Sequence, residues 1–319
     1  MFNMKKVVNF RWLSVLMLAF LLVGCGTADE KAKEDTQTQG TQSEESGYTV
    51  TDDRGVEVAF DAVPETVVSL QPSNTEILFA LGVGDKIIGA TDYDTYPAEA
   101  LEIERVSDSV AFNSERILEL NPDVVIAYTI GEEDALKVLE DAGVKVFVIQ
   151  SATSFEDVYG DIEQLATVMG VEEKGEQLNK EIKAKIADVQ ATLKDVETPK
   201  SVYYEVSPAP SIYTVGGDTF QQEILDAANV TNVFGDLQGW PQISEEQVIE
   251  KNPEIILTPN NYSEDAVGEI LARQSWNTIQ AIQNKQVYLL DGDVLSRPGP
   301  RIGEAVELVA KAVYPELFK

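Results

Sequence analysis

From residue 48 onward the chain sorts into short apolar runs and longer stretches in which apolar positions recur every three or four residues. Tyr48-Thr49-Val50 and Val56-Glu57-Val58-Ala59-Phe60 alternate in polarity on either side of Asp52-Asp53-Arg54-Gly55, which predicts a β-hairpin with a glycine-containing turn. After it, Val67 to Leu70, Ile87 to Gly89, Val124 to Tyr128 and Lys145 to Ile149 read as strands. Residues 74–81, 114–120, 132–142 and 155–169 read as the helices between them. Strands alternating with helices predict an α/β lobe.

The second half echoes the first. Glu76-Ile77-Leu78-Phe79-Ala80-Leu81-Gly82-Val83 matches Glu223-Ile224-Leu225-Asp226-Ala227-Ala228-Asn229-Val230 at five of eight positions. The stretch from Glu115 to Pro122 matches that from Glu246 to Pro253 at four of eight, and both run into an apolar strand. The offsets are 147 and 131 residues, so the second half lacks about 16 residues between these blocks and one first-half loop is longer. A period this long predicts two similar lobes rather than a solenoid of short units.

Between the halves, apolar residues fall at 178, 182, 186, 189, 193 and 196, the spacing of one amphipathic helix of about 25 residues. Thr198-Pro199 is expected to stop it. A helical link of this kind resists bending, because bending breaks backbone hydrogen bonds, so lobe closure should be modest. The expected organisation is a first lobe over 48–170, a linking helix over 171–197 and a second lobe over 198–319.

The first 24 residues carry Lys5, Lys6 and Arg11, no acid, and an apolar run from Trp12 to Val23 broken only by Ser14. That is signal-peptide architecture, too short to span a bilayer. It ends in Leu22-Val23-Gly24-Cys25, which resembles the lipobox of bacterial lipoproteins and implies lipidation of Cys25. Residues 25–47, poor in large apolar side chains, read as a flexible tether behind that anchor. An ordinary cleavage site beside an unmodified cysteine is the alternative.

Composition then excludes whole classes of function. Of 319 residues, 24 are Lys or Arg and 55 are Asp or Glu, giving a formal charge of −31. Such a chain repels phosphate backbones and anionic headgroups, so no nucleic-acid partner is expected and any membrane attachment must come through lipid. There is no His, which removes the usual general base and the commonest transition-metal ligand. The single Cys holds no metal cluster and forms no internal disulfide. Gly82-Val83-Gly84 is followed by Ile87 where a dinucleotide fingerprint needs Gly. An enzyme would have to rely on paired carboxylates, as a surface glycosidase does. No cofactor, metal or catalytic residue is expected.

Two lobes, a lipobox, an acidic tether and a long linking helix resemble the helix-linked substrate-binding proteins of ABC importers that take up cobalamin and ferric siderophores. The stretches carrying the resemblance are Trp240 to Val248, Asn113 to Ile117, Tyr93 to Pro97 and Asp293 to Arg301, and the first is most similar to the cobalamin-binding branch. The resemblance implies an α/β protein with a ligand cleft between its lobes. It also implies an extracytoplasmic, lipid-anchored monomer that delivers a corrinoid, or a related ferric chelate, to permease and ATPase subunits. It implies further that Glu115 and Glu246, at matching helix starts, dock onto the permease. The competing reading of both glutamates is an acid favoured by the helix dipole.

Ligands of such a plan sit where strand ends of the two lobes face each other. That rule selects Tyr93, Tyr96, Ser109, Phe112 and Tyr128 in the first lobe, and Tyr213, Trp240, Asn260, Asp293 and Arg297 in the second. Aromatic rings dominate, which suits a broad flat ligand. A buried tyrosine at Tyr128 and a solvated loop charge at Arg297 are the plain alternatives. Ser109 stands where cobalamin binders carry tryptophan. These loops offer only Arg297 and Arg301 as cations, which disfavours trianionic catecholates; hydroxamate siderophores and, through a tyrosine ligand, haem remain alternatives to a corrinoid.

Overall fold

The computed structural model describes residues 47–108, 111–128, 133–260 and 263–319. The expected leader, Cys25, nearly all of the tether, and Ser109 lie outside them. The chain opens with the predicted hairpin: β1 (Tyr48–Thr51) pairs antiparallel with β2 (Glu57–Phe60), and Gly55 takes the left-handed φ of 77° that the turn requires.

The first half continues as β3 (Val67–Ser69), α1 (Pro72–Ala80), β4 (Ile87–Thr91), β5 (Arg105–Ser107), α2 (Ser114–Leu120), β6 (Val124–Tyr128), α3 (Glu133–Asp141), β7 (Val146–Ile149) and α4 (Phe155–Val168). The link is α5 (Glu172–Leu193). The second half runs β8 (Ser201–Tyr204), α6 (Phe220–Ala227), β9 (Thr231–Asn232), α7 (Glu245–Lys251), β10 (Ile255–Thr258), α8 (Ala266–Leu271), α9 (Gln280–Gln283), β11 (Val287–Leu289), α10 (Gly292–Ser296) and α11 (Ile302–Val313).

Among the described residues, two parallel sheets carry the halves, in the orders β5-β4-β3-β6-β7 and β9-β8-β10-β11. The two orders superpose, with β3 matching β8 and β6 matching β10, and β5 is the strand without a counterpart. It lies in the longer first-half loop, between the two repeat blocks, where the offsets differ. Its single apolar residue, Val106 between Arg105 and Ser107, gives no apolar run to read. The second repeat block has a local explanation too. Asn121 (φ 49°) and Asn252 (φ 47°) end α2 and α7 in the left-handed conformation, and the proline after each forbids another turn.

The linking helix has 22 residues, about 33 Å at 1.5 Å per residue, and is shorter than its apolar spacing predicts. The chain turns at Lys194, and Val196 reaches the core from outside the helix, its N–H donating to the Leu193 carbonyl. Ile182, Ile186, Val189 and Leu193 are buried against α4 on one side and α11 on the other. They join both lobes into one apolar core running from Val67 through α5 to Val309. Two further cores cover the opposite sheet faces, one around Tyr203, Phe234 and Trp276, the other around Val68, Ile117 and Val148. Each sheet is therefore buried on both faces, as continuous apolar strands require.

Candidate functional site

Parallel strands place their following loops along one edge, and the candidate residues fall there. Tyr93 and Tyr96 follow β4, Phe112 follows β5 and Tyr128 ends β6. Tyr213 follows β8, Trp240 follows β9, Asn260 follows β10, and Asp293 and Arg297 follow β11.

On the first lobe a buried carboxylate shapes the Tyr93 loop. Asp94 accepts hydrogen bonds from the Thr91 N–H at 2.7 Å and the Thr91 hydroxyl at 2.5 Å, which folds the chain back and leaves Tyr93 and Tyr96 exposed on either side. Phe112 bridges Ser107 and is half-buried against the lobe core, as is Leu118 on the helix that follows. Tyr128 is half-buried at its strand end.

On the second lobe Tyr213 bridges both Ser207 and Gln242, and the Thr214 N–H donates to the Pro241 carbonyl. This irregular ladder braces the segments that carry Tyr213 and Trp240, and both residues stay open to solvent, at 37% and 52% exposure. Large aromatic rings held exposed on a braced loop offer contact area at low entropic cost. Asn260 is half-buried, its N–H donating to the Thr258 hydroxyl.

Asp293 and Arg297 cross the seam. Thr95 donates to Asp293 Oδ2 at 2.9 Å, and Arg297 Nη2 donates to the Tyr93 carbonyl at 2.9 Å and the Thr95 hydroxyl at 3.0 Å. Arg297 also pairs with Asp293 at 2.7 Å and with Glu76 at 2.9 Å. Glu76 is 2% exposed and takes two further bonds from Arg301, at 2.7 and 2.6 Å. Burial alone would lower the Arg301 pKa, but the hydrogen bonds and charge of Glu76 outweigh it and raise it. Both arginines of this face are thus neutralised by carboxylates. Arg301 was expected only as a cation of these loops, and its partner Glu76 was missed. The available signal was an acid inside an otherwise apolar helical repeat, with an arginine preceding the last helix.

Glu115 and Glu246 are exposed at the second positions of α2 and α7. Asn113 caps α2 by accepting from the Arg116 N–H at 3.0 Å. Ser244 and Gln247 form the capping box expected from their spacing, with bonds of 3.3 and 2.9 Å. The Glu246 carboxyl is held below its ordinary range by its own backbone N–H and then by the Ser244 hydroxyl.

Hollows lie at the surface of the described residues. One of about 460 Å³ lies between Phe79, Tyr96, Pro97, Pro300 and Arg301. Another of about 530 Å³ lies between the hairpin turn and α4, bordered by Asp53, Glu156, Asp157 and Asp161, and holds none of the candidate residues. Among the described residues no cluster of acids is arranged to hold a metal ion, and no helix is long and apolar enough to cross a membrane.

Two parallel-sheet lobes sharing one linking helix, with ring-bearing loops at their strand ends, define a two-lobed solute-binding protein. The chain belongs to the periplasmic binding protein family, whose family model matches residues 67–294. It is 39% identical, over 99% of its length and all of the relative's, to an uncharacterized ABC transporter substrate-binding lipoprotein, YvrC, of Bacillus subtilis. The periplasmic vitamin B12 binding protein BtuF of Vibrio cholerae is 31% identical, with a TM-score of 0.68 covering 81% of this chain and 99% of that one. A possible iron-binding periplasmic solute-binding protein of Staphylococcus epidermidis is also 31% identical, with a TM-score of 0.72 covering 79% and 100%. This is an ABC transporter substrate-binding protein and not an enzyme, and its partners are a solute, a permease and an ATPase.

Proposed function

We propose that the protein captures cobalamin or a related corrinoid at the seam between its lobes and hands it to the permease. The observation that carries this reading is the exposed rings of Tyr213 and Trp240 on loops that follow second-lobe strands, with Tyr93, Tyr96, Phe112 and Tyr128 at the corresponding strand ends of the first lobe. A corrin is broad, flat and apolar with polar edges, and rings with one polar tip complement it. The neutralised state of Arg297 and Arg301 supports a ligand without net negative charge. The name of the Vibrio cholerae relative supports the same choice. Cys25 would carry the lipid that keeps the receptor on the outer face of the cell membrane, with residues 25–47 as tether, and Glu115 and Glu246 would dock one on each side of the permease. The receptor would work as a monomer.

A ferric hydroxamate is the second reading, supported by the iron-binding name of the Staphylococcus epidermidis relative. The two are separated by titrating the protein with cyanocobalamin and with ferric hydroxamates while following tryptophan emission. Trp276 is fully buried and Trp240 is half exposed, so Trp240→Phe assigns the responding ring. Saturable quenching by cyanocobalamin, weakened about tenfold or more by Trp240→Ala, is expected from the loss of one large aromatic contact. Saturation by the hydroxamate alone rejects the corrinoid.

A further inference from the structure

Glu76 and Glu223 hold the same place in the sequence repeat, and each reaches out of its own lobe. Glu76, on α1, takes Arg297 and then Arg301, the residue immediately before α11. Glu223, on α6, accepts the backbone N–H of Phe155, the first residue of α4. Beside that bond the rings of Phe155 and Phe220 meet edge to face across the lobes, with centroids 6.1 Å apart. The same contact is therefore made twice. A glutamate on the first long helix of one lobe reaches the start of the last long helix of the other, and α5 packs between those last helices.

The two contacts differ in strength. Glu76 is buried and bonded by two guanidinium groups, so its attraction acts where solvent screens little. Glu223 is half-buried and holds one backbone N–H. Burying Glu76 without partners would be costly, which makes its contact hard to open in one lobe alone.

We propose that Glu76 and Glu223 are reciprocal interlobe struts. With α5 as a third point they set the lobe spacing, and their inequality makes the seam hinge at the Glu76 side and open at the Glu223 side. The struts stand on this geometry alone; their meaning for transport, that they present the two docking glutamates at a set separation, rests on the proposed function. Glu76 and Glu223 are positioning residues that act through Arg297, Arg301 and Phe155, not ligand contacts.

The test is a spin-label distance measurement on the full chain without ligand. Labels go on Val138→Cys of α3 and Gln283→Cys of α9, both exposed, with Cys25→Ser leaving no other thiol. The parent should give one narrow distance distribution. Glu76→Gln should widen it by about twofold or more and Glu223→Gln by less, because the buried ionic contact is the stronger restraint. Arg301→Gln, which keeps the Arg297 bond to Glu76, is measured alongside and should fall between parent and Glu76→Gln. Circular dichroism checks the fold of each variant. A Glu76→Gln distribution that superposes on the parent, or one narrower than that of Glu223→Gln, overturns the proposal. Widening in the predicted order in a protein that ignores cyanocobalamin keeps the struts and removes the corrinoid.

Discussion

The guanidinium of Arg301 lies over the Tyr96 ring, 4.3 Å from its centre, so a second-lobe cation caps a first-lobe ring expected to meet ligand. The same guanidinium is held by two bonds to Glu76, which fixes it at the ring. Tyr96→Ala should cost about 0.5–2 kcal/mol in urea unfolding, and Tyr96→Phe close to nothing, because the attraction is to the ring face. Tyr96→Ala should also weaken cyanocobalamin binding less than Trp240→Ala does. A larger ligand effect at Tyr96 than at Trp240 would show that the stacked ring leaves Arg301 to meet ligand.

Glu115 and Glu246 sit at capped helix starts on different lobes, exposed and clear of the ion pairs that occupy the seam. The double variant Glu115→Ala with Glu246→Ala should bind ligand like the parent, unfold close to it as surface changes do, and lose permease binding or uptake. Full uptake by the double variant would reject the docking role.

Glu205 is 1% exposed at the end of β8 and is held by Arg273 at 2.5 and 2.8 Å, with Arg273 in turn lying 4.3 Å from the Trp276 ring centre. Arg273→Met should destabilise by about 3–5 kcal/mol, because it strands a buried carboxylate. Adding Glu205→Gln should recover most of the loss in thermal or denaturant unfolding. No recovery would mean that packing on Trp276, and not charge, is what Arg273 supplies.

Asp161 is 7% exposed beside the hairpin turn, and its carboxyl is pushed up from 3.8 to about 8 by burial, then by Asp53 and Asp157. The folded protein keeps this proton between about pH 4 and 8 while the unfolded chain has lost it, so this group makes stability fall as pH rises through that window. Asp161→Asn should therefore be more stable than the parent at pH 8, by on the order of 2–5 kcal/mol, with the gap closing toward pH 4. A gap that does not change with pH would assign the effect to packing.

Much of the scaffold was legible because its signals are local. The hairpin turn, the capping box at Ser244 and the helix from Phe155 follow from side-chain period and cap chemistry within a few residues. The repeat also foretold two matching sheets and an insertion in the first. The strand β5 escaped, since Val106 between Arg105 and Ser107 is a lone apolar residue and makes no run.

The sequence by itself determined two lobes, a stiff link between them and the chain edge on which the candidate rings fall, because alternation, helical period and duplication are written in neighbouring residues. Only the tertiary structure decided what Arg297 does. Its position marked it as a ligand contact or a solvated loop charge, and packing set it against Glu76, 221 residues away. Which opposite charge a buried group meets depends on how distant segments close on one another, and no local pattern records that distance.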